Sequence, residues 1–221
     1  MGNQTTELST YYEGNNIRNE TIHFGGSDIS DYLYRLLKER GYHFEDGMKI
    51  DLFEDIKKKT CYVSKDYNEE TKTFFNSGGL DINYELPDGE IITIGYERIR
   101  SCESIFDFSM IGKEKNSLPQ IIYDHIMKCD IDLRRELYYN IRIIGEDSGI
   151  EGLSLRTQNE LKKMFPSQAR VNIISPVDRK YSVWIGGSIL SSLHMFQRCW
   201  VSKDVYDEKG LEFAKNPNNI F

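Results

Sequence analysis

Few stretches of this chain carry residue types at a spacing that chemistry could use. One is Gly145-Glu146-Asp147-Ser148-Gly149, between an apolar run, Ile141 to Ile144, and a helical pattern from Gly152 to Phe165. A glycine-bounded loop there suits nucleotide binding, because ligands sit beyond the carboxyl ends of parallel strands and against helix N-termini. Glu146 and Asp147 argue the other way, since they would meet an anionic ligand with bulk and like charge. Read from its residues, the loop is a binding turn or a plain connector, and the acidic pair favours the connector. A second stretch is Lys57-Lys58-Lys59, the one basic cluster, which a solvated helix face accounts for. His23, His43, His125 and His194 lack the spacing of metal ligands, and no nucleophile motif stands out. No catalytic residue and no metal ligand is expected.

Composition narrows the class. The 221 residues are 39% hydrophobic and 29% charged with a net charge of −7, which fits a globular protein of one large or two small domains. The negative balance argues against nucleic acid, whose phosphates need clustered Lys and Arg. Cys61, Cys102, Cys129 and Cys199 stand far apart, so free thiols in a reducing compartment fit better than a disulfide or zinc framework. The first thirty residues hold no apolar run, and neither a signal peptide nor a membrane span is expected. Met1 to Thr6 fits the short N-myristoylation pattern, which also arises by chance.

The elements that must position these residues are partly legible. Residues 1 to 24 are polar and loop-like. Ile29, Tyr32, Leu33, Leu36 and Leu37 then fall at i, i+3, i+4, i+7 and i+8, a helix opened by Asp28 and ended at Gly41. A second helix covers Leu52 to Val63 with Phe53, Ile56 and Thr60 inward. Tyr84 to Gly95 reads as a hairpin, with Pro87 presetting φ and Gly89 supplying positive φ. Residues 102 to 118 are loop-rich, and Ser117 starts a helix with Pro119 in its first turn. Ile141 to Ile144, Gly152 to Phe165 and Val171 to Ile174 form a β-α-β unit with parallel strands. Near the end, Ser182 is the expected N-cap of a helix with Val183, Ile185, Ile189, Leu190 and Leu193 on one face. Gly186 and Gly187 inside it cost about 1 kcal/mol each relative to Ala. Close packing against a neighbouring backbone is the usual reason to accept that cost.

That last stretch, Arg179-Lys180-Tyr181-Ser182-Val183-Trp184-Ile185-Gly186-Gly187-Ser188-Ile189-Leu190, resembles the C-terminal signature of the actin family almost residue for residue. Asp28-Ile29-Ser30-Asp31-Tyr32-Leu33, Glu39-Arg40-Gly41-Tyr42 and the Tyr84 to Gly95 string resemble further actin segments. The resemblance runs from about Tyr12 to Phe221 and covers only the C-terminal portion of the longer actin chain. It implies an α/β, actin-like (ribonuclease H-like, Hsp70-type ATPase) fold, the large half with its C-terminal tail. Residues 1–24 and 114–181 would be the inner β-sheet subdomain, 25–113 the outer small subdomain, and 182–221 the tail that crosses to the other half.

The resemblance also implies nucleotide-binding positions: Gly26 on the phosphate side, Lys57 and Lys180 near the adenine, Lys58 at the ribose position, and Gly145 and Glu146 in the adenosine loop. Departures stand at Lys58, where the family has a ribose-binding Glu, at Glu146, where it has Gly, and at Ile150, where it has Tyr. For Lys57 and Lys180 a solvated surface lysine is the alternative. ATP or ADP with Mg²⁺ is the cofactor so implied, in a site that is incomplete because the family's N-terminal phosphate loop and its Mg²⁺-positioning residues are not among these segments. At Phe106 to Lys113 a filament plug and a plain surface loop both remain open. The function implied is a cytoskeletal actin-family protein, a filament subunit or truncated actin-like chain, located in the cytoplasm. Its expected partners are other actin-family subunits or actin-binding proteins, with self-association through residues 182–201. The alternative is a divergent scaffold in a multiprotein complex without nucleotide turnover, and more remote is an independent enzyme of the wider superfamily.

Overall fold

A computed structural model of the chain describes residues 1–44, 49–77, 79 and 81–215. The chain divides into two compact units, Met1–Lys180 and Tyr181–Phe221.

The first unit opens on a hairpin where a loop was expected. β1 (Thr6–Tyr12) pairs antiparallel with β2 (Asn15–Ile22), Thr6 opposite Ile22 and Thr10 opposite Arg18. The strand alternation was present but disguised. Thr6 and Thr10 are buried with Leu8 half-buried between them, while Glu7, Ser9 and Tyr11 face solvent. Two of the inward positions therefore carry hydroxyls, which hydropathy reads as polar. Thr6 Oγ1 donates to the Phe24 carbonyl at 2.8 Å, so its burial leaves no orphan donor. Glu13 and Gly14, at φ 49° and 81°, make the tight turn that matches strand twist.

Two helices form the next layer. α1 (Gly26–Glu39) buries Ile29, Leu33, Leu36 and Leu37, the stripe that the spacing predicts. Asp28 accepts from the Gly25 amide at 2.9 Å and serves the helix start. α2 (Lys49–Thr60) ends three residues earlier than expected, with Phe53, Ile56 and Thr60 inward as expected. Burying side chains such as Leu33, Leu37 and Phe53 contributes about 1.5–3 kcal/mol each. α3 (Tyr67–Ser77) escaped the sequence reading because it lacks a clean apolar stripe; Phe74 instead stacks on Tyr96. β3 (Ile82–Glu85) and β4 (Ile91–Ile94) form the expected hairpin, with Gly89 at φ 88° in its turn. α4 (Glu97–Glu103) follows, and α1 packs against both α2 and α4.

α5 (Leu118–Met127) starts as read, Ser117 accepting from the Gln120 amide at 3.2 Å and Pro119 in the first turn. α6 (Ile131–Tyr139) has no buried residue and so offered no stripe to detect. β5 (Ile141–Arg142), α7 (Leu153–Met164) and β6 (Ile173–Ile174) are the β-α-β unit, with Ile141 opposite Ile173 in a parallel pair. The regular pairing is shorter than the apolar runs, although Ile143 and Val171 beyond it are buried.

Arg156 on α7 ties this unit to α4. Its guanidinium donates to the Ser64 carbonyl at 2.9 Å and to Glu103 at 3.2 Å, and lies over the Phe106 ring. Burial nevertheless pushes the Glu103 carboxyl up to about 7 from an ordinary 4.5, Arg156 pulling the other way. A raised carboxyl contributes stability that is complete below about pH 4.5 and lost as pH rises through about 7. Glu103→Gln is therefore expected to flatten the fall in unfolding free energy across that window. Urea unfolding at its two ends checks this, and an unchanged slope would count against it.

The second unit holds α8 (Ser182–Ser192), a 3₁₀ turn at His194–Cys199 and α9 (Lys203–Lys215), which is interrupted at Gly210. Tyr181, not Ser182, occupies the cap of α8, and no side-chain cap bond forms there. No residue of α8 is buried, and a Cβ at Gly186 or Gly187 would meet no atom within 4 Å. Among the described residues of this unit, no backbone packs closely on the glycine pair.

Candidate functional site

The loop after β5 is held from several directions. Gly145 sits at φ 103°, a conformation that favours glycine, and a Cβ there would lie 2.4 Å from the Met1 carbonyl oxygen. Its amide donates to the Arg179 carbonyl at 3.0 Å, while Arg179 Nε donates to the Ser148 carbonyl at 2.9 Å. Glu146–Gly149 then winds through one 3₁₀ turn, with Asp147 and Ser148 buried.

Lys57, in the last turn of α2, reaches this loop from the other side. Its Nζ lies 2.7 Å from Asp147 Oδ1, 2.8 Å from Glu54 Oε1 and 2.9 Å from the Gly26 carbonyl. An ammonium has three donors, and here each has an acceptor. The Lys57 and Asp147 side chains are 1% and 2% exposed, so this is a buried ion pair. Burial pushes the Asp147 carboxyl above the ordinary carboxylate range, against the pull of Lys57. Gly26 has to lack a side chain for this arrangement, since a Cβ would lie 2.1 Å from the Asp147 carboxylate.

Outside the pair lies a cavity of about 360 Å³. At its wall Lys58 Nζ is 2.7 Å from Glu146 Oε1, and Lys180 Nζ is 3.4 Å from the same oxygen. All three side chains are half-exposed. Lys58, with Lys180 behind it, holds the Glu146 carboxyl below its usual range, and Glu146 in turn raises the Lys58 ammonium. The other cations at the wall also have protein partners. Lys59 pairs with Asp55 at 2.7 Å, and Arg98 Nε donates to the Thr60 carbonyl at 2.7 Å.

Lys57, Lys58, Glu146 and Lys180 thus line one cavity. Gly26 joins them through its carbonyl and Gly145 through the loop. The structure corrects one reading: Lys57 is neither a surface lysine nor part of a solvated face, because α2 turns it inward. Lys180 is half-exposed and ion-paired. Sequence reasoning passed over Glu54 and gave Asp147 only a repulsive role. The available signal was Glu54 three residues before Lys57, a spacing that puts both on one helix face.

Chemically, the arrangement is a set of mutually neutralising ion pairs rather than an array of free donors. An anion entering the cavity competes with Glu146 for Lys58 and Lys180. Among the described residues no group of three or more His, Cys, Asp or Glu side chains is placed to hold a metal ion. No helix of the described residues is long and apolar enough to cross a membrane. A family model described as actin matches residues 1–216 of the chain.

Proposed function

We propose that this chain, which belongs to the actin family, is a cytoskeletal assembly subunit whose adenine-nucleotide site is degenerate and which turns over no ATP by itself. The observation that carries this reading is the Glu146 carboxylate bridging Lys58 and Lys180 at the cavity wall. A nucleotide whose adenosine lies there must break two charge-assisted contacts, and its phosphates approach a like charge. Lys57 offers no substitute, because Glu54, Asp147 and the Gly26 carbonyl already take its donors. The residues present therefore do not fit ATP with Mg²⁺, the group that membership of the family implies. Phosphoryl transfer also needs charge stabilisation on both sides of the transferred group, which one wall of closed ion pairs does not supply.

In this reading the chain is the large half of the fold with its tail. Residues 1–24 and 114–181 form the inner β-sheet subdomain, 25–113 the outer small subdomain, and 182–221 the tail. Its partners are other actin-family subunits or actin-binding proteins, and it works in the cytoplasm. The exposed apolar side chains of α8 favour a second reading, a scaffold in a larger complex that binds its partners with or without nucleotide.

Glu146→Gly tests the site directly. It removes the carboxylate and releases Lys58 and Lys180, so ATP and ADP affinity is expected to rise at least about tenfold, or about 1.4 kcal/mol. Calorimetry on parent and variant reads this out, and equal affinities would assign the barrier elsewhere. A phosphate-release assay on the parent is expected to show no Mg²⁺-dependent turnover. Turnover abolished by a change within residues 145–149 would overturn the proposal.

A further inference from the structure

Cys61, Cys102 and Cys129 are free and buried, and the first two meet where α2 ends against α4. Arg98, Ser101 and Cys102 fall at i, i+3 and i+4 of α4 and so share one helix face. That face lies on the end of α2. Arg98 Nε donates to the Thr60 carbonyl at 2.7 Å, and Ser101 Oγ donates to Cys61 Sγ at 3.6 Å. Cys102 completes the face with a thiol hydrogen bond to the same sulfur. The two cysteines differ in access. Cys102 is 0% exposed, whereas Cys61 is 7% exposed and lines the cavity of about 360 Å³ described above. Cys129 sits elsewhere, after α5, its thiol donating to the His125 carbonyl at 3.5 Å.

We propose that Cys61 and Cys102 are a peroxide-sensitive dithiol, Cys61 attacking and Cys102 resolving, which closes to a disulfide between the end of α2 and α4. The roles follow from the surroundings, because only a thiolate attacks a peroxide. The hydrogen bond from Cys102, helped by Ser101 and by the Arg98 charge, holds the Cys61 thiol below its ordinary value in spite of burial. The same bond, with burial, pushes Cys102 well above its own, so it stays a thiol until its partner is oxidised. The Cys61 thiolate attacks one oxygen of hydrogen peroxide that enters by the cavity. An S–O bond forms, the O–O bond breaks, and hydroxide leaves to take up a proton as water. Cys102 sulfur then attacks the Cys61 sulfenic acid. The S–S bond forms, the S–O bond breaks, and the hydroxide leaves with the Cys102 proton as a second water. The pair of sulfurs gives up two electrons in all, and the peroxide accepts them. Because the resolving thiol is already in contact, this second step outruns further oxidation of Cys61. The inference is independent of the nucleotide-site reading, which rests on the lysines and Glu146.

The test treats the reduced full chain with hydrogen peroxide, blocks the remaining thiols by alkylation and maps the peptides by mass spectrometry. A peptide cross-linked through Cys61 and Cys102 is expected, and dithiothreitol is expected to return both thiols. Cys129 is the internal control, and Cys61 is expected to react at least about tenfold faster than it does. In denaturing urea the same cross-link is expected to form at least about tenfold more slowly, because the fold no longer holds the two sulfurs together. Cys102→Ser, checked for native circular dichroism, is expected to stop at the Cys61 sulfenic acid, which dimedone traps. The proposal fails if the cross-link is not found, if it forms as fast in urea, or if Cys129 reacts as fast as Cys61. A rate that falls on dilution of the protein would place the bond between two chains and also overturn it. So would a folded Cys102→Ser chain that gives no dimedone adduct at Cys61.

Discussion

Lys57→Met is expected to cost about 3–5 kcal/mol of folding stability, the range for breaking a buried ion pair from one side. The substitution removes the ammonium but leaves the Asp147 carboxylate buried, with Glu54 on the same vanished partner. The Gly26 carbonyl loses its donor as well. Asp147 is already raised by burial with Lys57 in place, so in the variant its carboxyl rises further. The sign of the pH dependence follows. Protonated Asp147 needs no cation, so the variant's deficit is smallest below the ordinary aspartate value of about 3.9 and grows as pH rises through the raised one. Adding Asp147→Asn to Lys57→Met removes the stranded charge and is expected to recover most of the loss. Urea unfolding at constant m-value measures all three proteins. A single-variant loss below about 1 kcal/mol would show that water or a local shift compensates the carboxylate, and that the pair is not what holds α2 to the loop.

A chain ending at Tyr181 is expected to stay monodisperse at concentrations where the full chain associates. Val183 and Trp184 are each 74% exposed and Trp200 66%, with Ile189, Leu190 and Leu193 about half exposed. Burying such side chains is worth roughly 1.5–3 kcal/mol each when complete. Half-burial of six gives several kcal/mol, against a total stability of about 5–15 kcal/mol for a typical domain. An apolar surface of that kind marks an interaction site or an aggregation liability. Among the described residues the buried hydrophobic cluster runs from Phe24 to Ile173, so the truncation removes none of it. Light scattering on the two chains reads the difference. Trp184 and Trp200 are the only two tryptophans, so acrylamide quenching reports on the tail alone. Strong quenching in dilute solution that falls with concentration is expected. A full chain that remains monomeric, with both tryptophans protected, would contradict this.

Local chemistry made some elements readable from the residues. α1 shows an unbroken stripe from Ile29 to Leu37, α5 a serine cap followed by proline, and the β3–β4 turn a Pro-Asp-Gly run. Each is decided within a few residues, by periodicity or by a dihedral preference that only certain side chains satisfy. The family too was legible, because the stretch from Arg179 to Leu190 combines a tryptophan and a glycine pair at fixed spacing. The β1–β2 hairpin was not, since Thr6 and Thr10 are buried through tertiary partners, the Phe24 carbonyl and His125. Nor was the state of the site. Lys57 and Lys58 are neighbours in sequence, yet one is buried against Asp147 and the other half-exposed against Glu146. That difference depends on which face α2 turns to a loop about ninety residues further on. Composition and motif named the residues, but only the folded chain decided which charges cancel, because Coulomb energy and desolvation depend on distance and burial rather than on order in the sequence.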